Sequence, residues 1–380
     1  RAIRELLPHW EEIGRAGYEY FLSVPGTGWR GALAAMRHPS AGLFAARARS
    51  PLRLHTALRR HFETREVLAV FEYLAGRLGA SIHQAPAGLR MQLARHLATG
   101  AWTPRGGMGA LVDALLRACR LRNVTVATDA RVQRIELING HAARVSGEGF
   151  KPLRADIVVS TLPPERTARD LLPDGEPVDG LRRRFARTKP SRSAMTILLG
   201  CSRRWPELDA PGELVLWPEK PLEVSRQIDE WRVPAHEPPV HICAHHPTHV
   251  GAAPEGYTAL KVSVPMPPLS GNYVWREDNR KQQVDAVLAR VAAVLDGFWE
   301  SLEEQMVLTP EDLAEAHGLP HGSLYGATLN NRRGWLARTG NTRPEIPGLA
   351  FAGSWTHPGP TLALSVLSGL LAAEAVEGTE

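Results

Sequence analysis

Two glycine turns are the places in this sequence where residue types and spacing could do chemistry. In the C-terminal part, Leu349-Ala-Phe-Ala-Gly353 reads as a buried strand, and a small-residue, apolar helix is predicted from Pro360 to about Val376. Between them lies Ser354-Trp355-Thr356-His357-Pro358-Gly359. A glycine lets backbone approach a ligand closely, and a helix start offers free N–H groups and the positive end of the helix dipole. That pairing suits an electron-rich group, although a turn needed only for packing would read the same way. The second turn, Pro104-Arg-Gly106-Gly107-Met-Gly109, opens a helix in which Leu111, Leu115 and Ala118 or Cys119 recur at helical spacing. Both readings apply there too.

Other clusters are weaker. His236, His241, Cys243, His245, His246 and His249 invite a metal, because His241, Cys243 and His245 would share one face of a strand. No carboxylate or CxxC spacing supports one, so no metal site is expected. Asp312 and Glu315 ahead of His317 read as a solvated helix start rather than as acid/base machinery.

Several elements must position these residues. Residues 1–100 read as helical, with breaks at Pro25, Gly26, Gly28, Pro39 and Pro51. Val124 and Val126 alternate as a short strand, Val132, Ile135 and Leu137 suggest another, and Asn139-Gly140 is a two-residue hairpin signal. A buried strand from Asp156 to Thr161 ends at Pro163-Pro164. With the preceding helix these make one α/β unit. Strand-like runs at Met195–Leu199, Glu213–Trp217, His241–His245 and Ala259–Val264 predict a mostly antiparallel sheet, and apolar residues from Val284 to Leu302 keep the period of a long helix. The expected fold class is mixed α/β and α+β.

The 380 residues are 43% hydrophobic, enough to bury a large core in about two domains. A net charge of +5 over this length does not predict nucleic-acid binding unless it is clustered. Cys119, Cys201 and Cys243 are odd in number and far apart, which suggests reduced thiols in a cytoplasmic protein. No run of about 20 apolar residues occurs, so no membrane-spanning helix is expected.

Four segments carry a resemblance to a known family. They are Pro104-Arg-Gly-Gly-Met-Gly-Ala-Leu, the stretch Asn123 to Pro164, Pro247-Thr-His-Val-Gly-Ala-Ala-Pro-Glu-Gly256, and Ile346-Pro-Gly-Leu-Ala-Phe-Ala-Gly-Ser-Trp-Thr-His-Pro-Gly-Pro360. Thr309-Pro-Glu-Asp-Leu and His321-Gly-Ser-Leu-Tyr-Gly326 add to it. On these the chain resembles the phytoene desaturase (carotenoid desaturase) family within the flavin amine oxidase superfamily. Gly251 stands where that family usually has Asp, and Pro360-Thr361 replaces a more glycine-rich turn.

The resemblance implies FAD as cofactor and an oxidoreductase that desaturates, saturates or isomerises a long apolar polyene. It implies cofactor contacts at Gly106, Gly107, Val132, Gly353, Ser354, Gly359, Pro360, Thr361 and Leu362, with an ordinary strand valine as the other reading of Val132. It further implies a polar and aromatic edge beside the flavin from Trp355, Thr356 and His357, with His357 as a proton donor near neutral pH. Residues 1–100 would be the helical part of a substrate- and membrane-facing domain, 101–170 and 331–380 parts of the FAD-binding domain, and 171–330 the substrate domain. The glycine fingerprint that belongs after the first strand of such proteins, with its acidic residue about 20 positions on, is expected in a segment of at least ~30 residues ahead of Arg1. The rival expectation is a non-catalytic apolar-ligand or membrane-surface remnant that has lost FAD.

From Tyr20 to Phe62 the sequence has no Asp or Glu, while Arg30, Arg37, Arg47, Arg49, Arg53, Arg59 and Arg60 alternate with Trp29, Leu33, Met36, Leu43, Phe44, Leu52 and Leu54. A peripheral position at an anionic lipid surface is the expectation from this stretch, with a solvated basic face as the plainer reading. Oligomeric state is left open by the sequence.

Overall fold

The computed structural model describes residues 5–12, 14–15, 52–100, 102–209, 212–245, 251–271, 273–331, 338–343 and 345–377. They run through helices α1 (Leu54–Arg59), α2 (Arg65–Gly76), α3 (Leu89–Thr99) and α4 (Gly109–Leu121). Strands β1 (Val132–Ile138), β2 (His141–Gly147), β3 (Leu153–Arg154) and β4 (Val158–Ser160) lead to helix α5 (Val178–Phe185). Strands β5 (Ser193–Cys201), β6 (Glu213–Leu216), β7 (Val240–Ala244) and β8 (Thr258–Met266) precede α6 (Glu277–Ala292). Then come β9 (Leu302–Leu308), α7 (Pro310–His317), β10 (Leu349–Phe351) and α8 (Leu362–Glu377). Helix and sheet are mixed, and the chain divides into two units, 1–100 with 128–191 and 318–380, and 101–127 with 192–317.

In the first unit the apolar stripes of α1 to α3 close a core with the last helix. Leu54, Leu58, Leu74, Leu78, Leu89 and Leu93 pack with Leu364, Leu367 and Leu371 of α8. Leu54 and Leu58 are wholly buried, which stabilises by about 1.5–3 kcal/mol per side chain. This corrects the expectation that 1–100 belongs apart from the C-terminal segment: the two share one core. It also places Leu54 inside, not on a lipid-facing surface.

A second core holds the hairpin and the parallel pair. Asn139 and Gly140 both have positive φ (52° and 80°), the turn that a two-residue hairpin needs, and β1 pairs antiparallel with β2 from Ile138↔His141 onward. β10 pairs parallel with β4, Phe351 opposite Ser160, and Ile135, Phe185, Leu349 and Phe351 bury together.

In the second unit five antiparallel strands run in the order β6-β7-β8-β5-β9. Alternation puts Leu260, Val262, Val264 and Met266 of β8 against Val284, Val287, Leu288 and Val291 of α6, and leaves the other sheet face uncovered by that core.

Three expectations are corrected. The long helix ends at Ala292 instead of Leu302: Gly297 turns the chain at φ 66°, and Leu302 pairs with Cys201 as the start of β9. The apolar period ran on because Leu295 and Phe298 stay buried in the same core through the turn. Val124 and Val126 form no strand and are half exposed, because no described strand runs beside them. Residues 101–170 are therefore not one α/β unit: α4 groups with the five-stranded sheet, the hairpin with the other unit.

Candidate functional site

After β10 the chain bends through Gly353, whose φ of 106° is a conformation that side-chain-bearing residues rarely adopt. A Cβ there would meet only the Thr161 carbonyl, at an ordinary contact distance of 3.7 Å, so the turn has room beside its backbone. The turn is held from inside. Thr356 Oγ1 donates to the Gly353 carbonyl at 2.8 Å and lies 2.8 Å from Ser368 Oγ, which accepts from the Gly353 amide at 3.1 Å. Asn341, fully buried, sets its Nδ2 within 3.1 Å of the Phe351 carbonyl, 3.3 Å of the His357 carbonyl and 3.2 Å of the Ser368 carbonyl. The buried guanidinium of Arg338 donates to the Ser354 carbonyl at 2.6 Å. Thr361 caps the following helix, its Oγ1 accepting from the Leu364 amide at 3.2 Å.

Two residues of this segment lie inside the protein. His357 is 3% exposed, and burial first, then the nearby Arg338 charge, pushes its pKa down to about 4. At neutral pH the ring is neutral, so it holds no imidazolium proton to deliver. Thr356 is fully buried with its hydroxyl spent on the turn, and it positions Gly353 rather than forming an edge beside a ligand. Trp355 and Ser354 are half-buried, Gly359 is buried, Pro360 is half-buried, and Leu362 is an exposed residue at the head of α8. Val132 is the first residue of edge strand β1, opposite Gly147. Gly106 and Gly107, both with positive φ (82° and 79°), turn into α4 as expected, and they belong to the second unit.

Sequence reasoning missed Arg338, Asn341 and Ser368. Ser368 could have been found, since it falls on the stripe of Leu364, Leu367 and Leu371 where a hydroxyl needs a partner. Arg338 and Asn341 sit in an ordinary polar loop with no such signal. Asp312 accepts from the Thr309 amide (2.7 Å) and hydroxyl (2.8 Å), a helix-start arrangement for α7. His241 meets Glu213 at 3.2 Å, and His245 Nδ1 accepts from the Ala259 amide at 3.2 Å. Among the described residues no three ligand-type side chains gather for a metal. His246, His249 and most of the acid-free basic stretch, including Arg30, Arg37, Arg47 and Arg49, lie outside the described residues. The expectation that the glycine fingerprint lies only ahead of Arg1 overlooked Gly26, Gly28 and Gly31, which carry the spacing G-x-G-x-x-G with no acidic residue before Glu63 and also lie outside the described residues.

In the second unit a cavity of about 850 Å3 opens on the sheet face away from α6. Its walls are mostly apolar, with Met108, Leu198, Ala252, Ala259 and Met306 among them, and Gly107 contributes backbone.

A strand that leads through a positive-φ glycine into a helix N-terminus is an arrangement that suits a nucleotide-bearing cofactor. The chain belongs to the flavin containing amine oxidoreductase family, whose family model matches residues 2–377. It is 29% identical to a zeta-carotene-forming phytoene desaturase of Myxococcus xanthus, over 88% of this chain and 63% of that protein. To an all-trans-zeta-carotene desaturase of the same organism it is also 29% identical, over 73% of this chain and 53% of that protein. The chain thus spans less than two thirds of these relatives. Among solved structures, an oxidoreductase from Methanosarcina mazei matches with a TM-score of 0.59 at 16% identity, covering 88% of this chain and 71% of that one. A putrescine oxidase variant matches with a TM-score of 0.59 at 13% identity, covering 100% of this chain and 75% of that one. These two likenesses speak for the fold alone.

The family's cofactor, FAD, fits the residues present. Gly353 leaves room beside its backbone, α8 points its N-terminus from the same segment, and a buried guanidinium sits under the turn.

Proposed function

We propose that this chain is part of an FAD-dependent oxidoreductase acting on carbon–carbon bonds of a long apolar polyene. The observation that carries the reading is the mostly apolar cavity of about 850 Å3 in a chain of this family. A hydrocarbon has no polar handle, so its site must be a dry, shaped apolar wall rather than a set of hydrogen bonds. Both Myxococcus xanthus relatives are desaturases by name. Bound FAD would accept the electron pair released when two hydrogens leave neighbouring carbons as a single bond becomes a double bond. What the chain's own residues do is hold the cofactor by the Gly353 turn and exclude water from the cavity. One hydrogen would leave with the electron pair as hydride to bound FAD and the other as a proton to the flavin or solvent, so a protein base is optional, and His357, buried with its pKa pushed down to about 4, would be a weak one.

Substrate delivery is part of the proposal. No helix among the described residues is long and apolar enough to cross a membrane, and the acid-free stretch from Tyr20 to Phe62 would dock on anionic lipid. The test is reconstitution of the protein with a polyene in vesicles. Flavin absorbance that bleaches anaerobically on mixing, with a product longer in conjugation, is expected. Flavin that stays oxidised with a range of polyenes removes the substrate reading. Vesicle binding should rise with anionic lipid, fall with salt, and weaken when Arg30, Arg37, Arg47 and Arg49 become Gln; salt-insensitive binding, or none, removes the docking role.

A further inference from the structure

On the open face of the five-stranded sheet an exposed lysine, Lys261, stands beside the cavity. Across the strands the register puts Glu213, Cys243, Lys261, Leu198 and Met306 in one row. Lys261 stands on β8, the middle strand of the five. Lysine is depleted in strands, and where a strand carries one to block unwanted pairing, that strand is an edge. Glu304, on edge strand β9, fits that guarding role; Lys261 does not. Its neighbours in the row are a thiol and an isobutyl group, and Glu213 at the row's end is engaged with His241 at 3.2 Å. No carboxylate among the described residues lies within 4.0 Å of the Lys261 ammonium. Among the described residues Lys261, exposed, is the one lysine or arginine in the lining of the mostly apolar cavity, which Glu213 and Glu304 also line.

We propose that the cavity takes an elongated apolar ligand ending in a carboxylate, and that Lys261 is its counter-ion and fixes its direction. This rests on the reading of the cavity as an apolar-ligand site, and narrows it. An apolar tail in the cavity displaces water from beside the ammonium, and a polyene that carries a carboxylate at one end offsets that loss. A terminal carboxylate accepts from Nζ–H in its place, a charge-assisted bond strengthened by the apolar surroundings.

The experiment compares two probes that share one polyene and differ at its end, all-trans-retinoic acid and all-trans-retinol, by quenching of tryptophan fluorescence in the 380-residue chain. The acid should bind about fivefold or more tightly, the range between an exposed and a desolvated charge pair. Lys261→Met should bring the acid down to the level of the alcohol, and Lys261→Arg should keep the preference. Equal binding of both probes, or a preference that survives Lys261→Met, overturns the counter-ion. A preference for retinylamine that disappears in Glu304→Gln overturns it in favour of Glu304. Failure of both probes to bind folded protein removes the apolar-cavity reading as well, so the two failures are told apart.

Discussion

Arg338 reaches the carbonyl of Ser354 at 2.6 Å from inside the protein, and the same guanidinium donates to the carbonyls of Tyr325 (2.6 Å) and Ala327 (3.0 Å). One rigid fork therefore joins the turn after β10 to the segment around Gly326, where a Cβ would lie 3.2 Å from Trp355 Cα. Burial lowers the guanidinium pKa to about 9, which leaves it charged at neutral pH under the cofactor turn.

Replacing Arg338 by Met should leave three carbonyls without their donor, the buried one of Ala327 and the half-buried ones of Ser354 and Tyr325, and cost about 2 kcal/mol or more, at about 1–3 kcal/mol for a buried partner lost. Arg338→Lys keeps the charge without the fork and should fall between the two. Urea denaturation reads both, and a loss below about 1 kcal/mol for the Met variant would show that the fork is dispensable.

His357 predicts a pH dependence whose sign is fixed by its burial. Its folded pKa, about 4, lies below the ordinary 6.5, so between those values the unfolded chain binds the proton and the folded chain does not. Stability therefore rises with pH across that window and is lost as pH falls through it, by about 3 kcal/mol at most. His357→Gln should flatten the dependence from pH 6.5 to 4. His55 and His96, also lowered by burial, keep their share in that variant. An unchanged slope would place the titration elsewhere.

Thr356→Val preserves shape and removes the hydroxyl that ties Gly353 to Ser368. A cost of about 1–2 kcal/mol is expected. Flavin content in the flavin-loaded protein should fall with it, because the backbone at Gly353 is then less firmly held; full flavin retention would confine Thr356 to stability.

Gly353→Val should abolish flavin binding, since its branched side chain would occupy the room beside the backbone. The positive φ adds strain of about 1–3 kcal/mol, so circular dichroism must first show a folded variant. Folded protein with normal flavin would make the turn purely structural.

Gly200→Leu should close the cavity from its floor. A Cβ at Gly200 would already stand 3.2 Å from Glu304 Cβ, and a larger side chain projects from the same face as Leu198. Polyene binding should weaken about tenfold or more through lost apolar contact, at roughly 0.8 kcal/mol per buried CH2. Unchanged binding would put the ligand elsewhere.

The sequence by itself determined the local elements with a short-range cause. Asn139-Gly140 made a hairpin because a two-residue turn needs positive φ twice, and the alternation at Met195, Glu213, His241 and Ala259 made four strands. Gly353 and the turn into α8 were legible for the same reason: glycine and a small apolar helix announce themselves within a dozen residues. The family motif rode on them. Only the tertiary structure decided the chemistry of those positions. Whether His357 is a proton donor depends on what buries it, and Arg338 comes from another loop. Whether Thr356 faces a ligand or a partner depends on Ser368, twelve residues on in α8. Lys261 became notable only when the register made its strand the middle of five and left it without a carboxylate. Solvation and hydrogen-bond partnership are properties of neighbours brought from far along the chain, and periodicity, which reads only the near ones, cannot carry them.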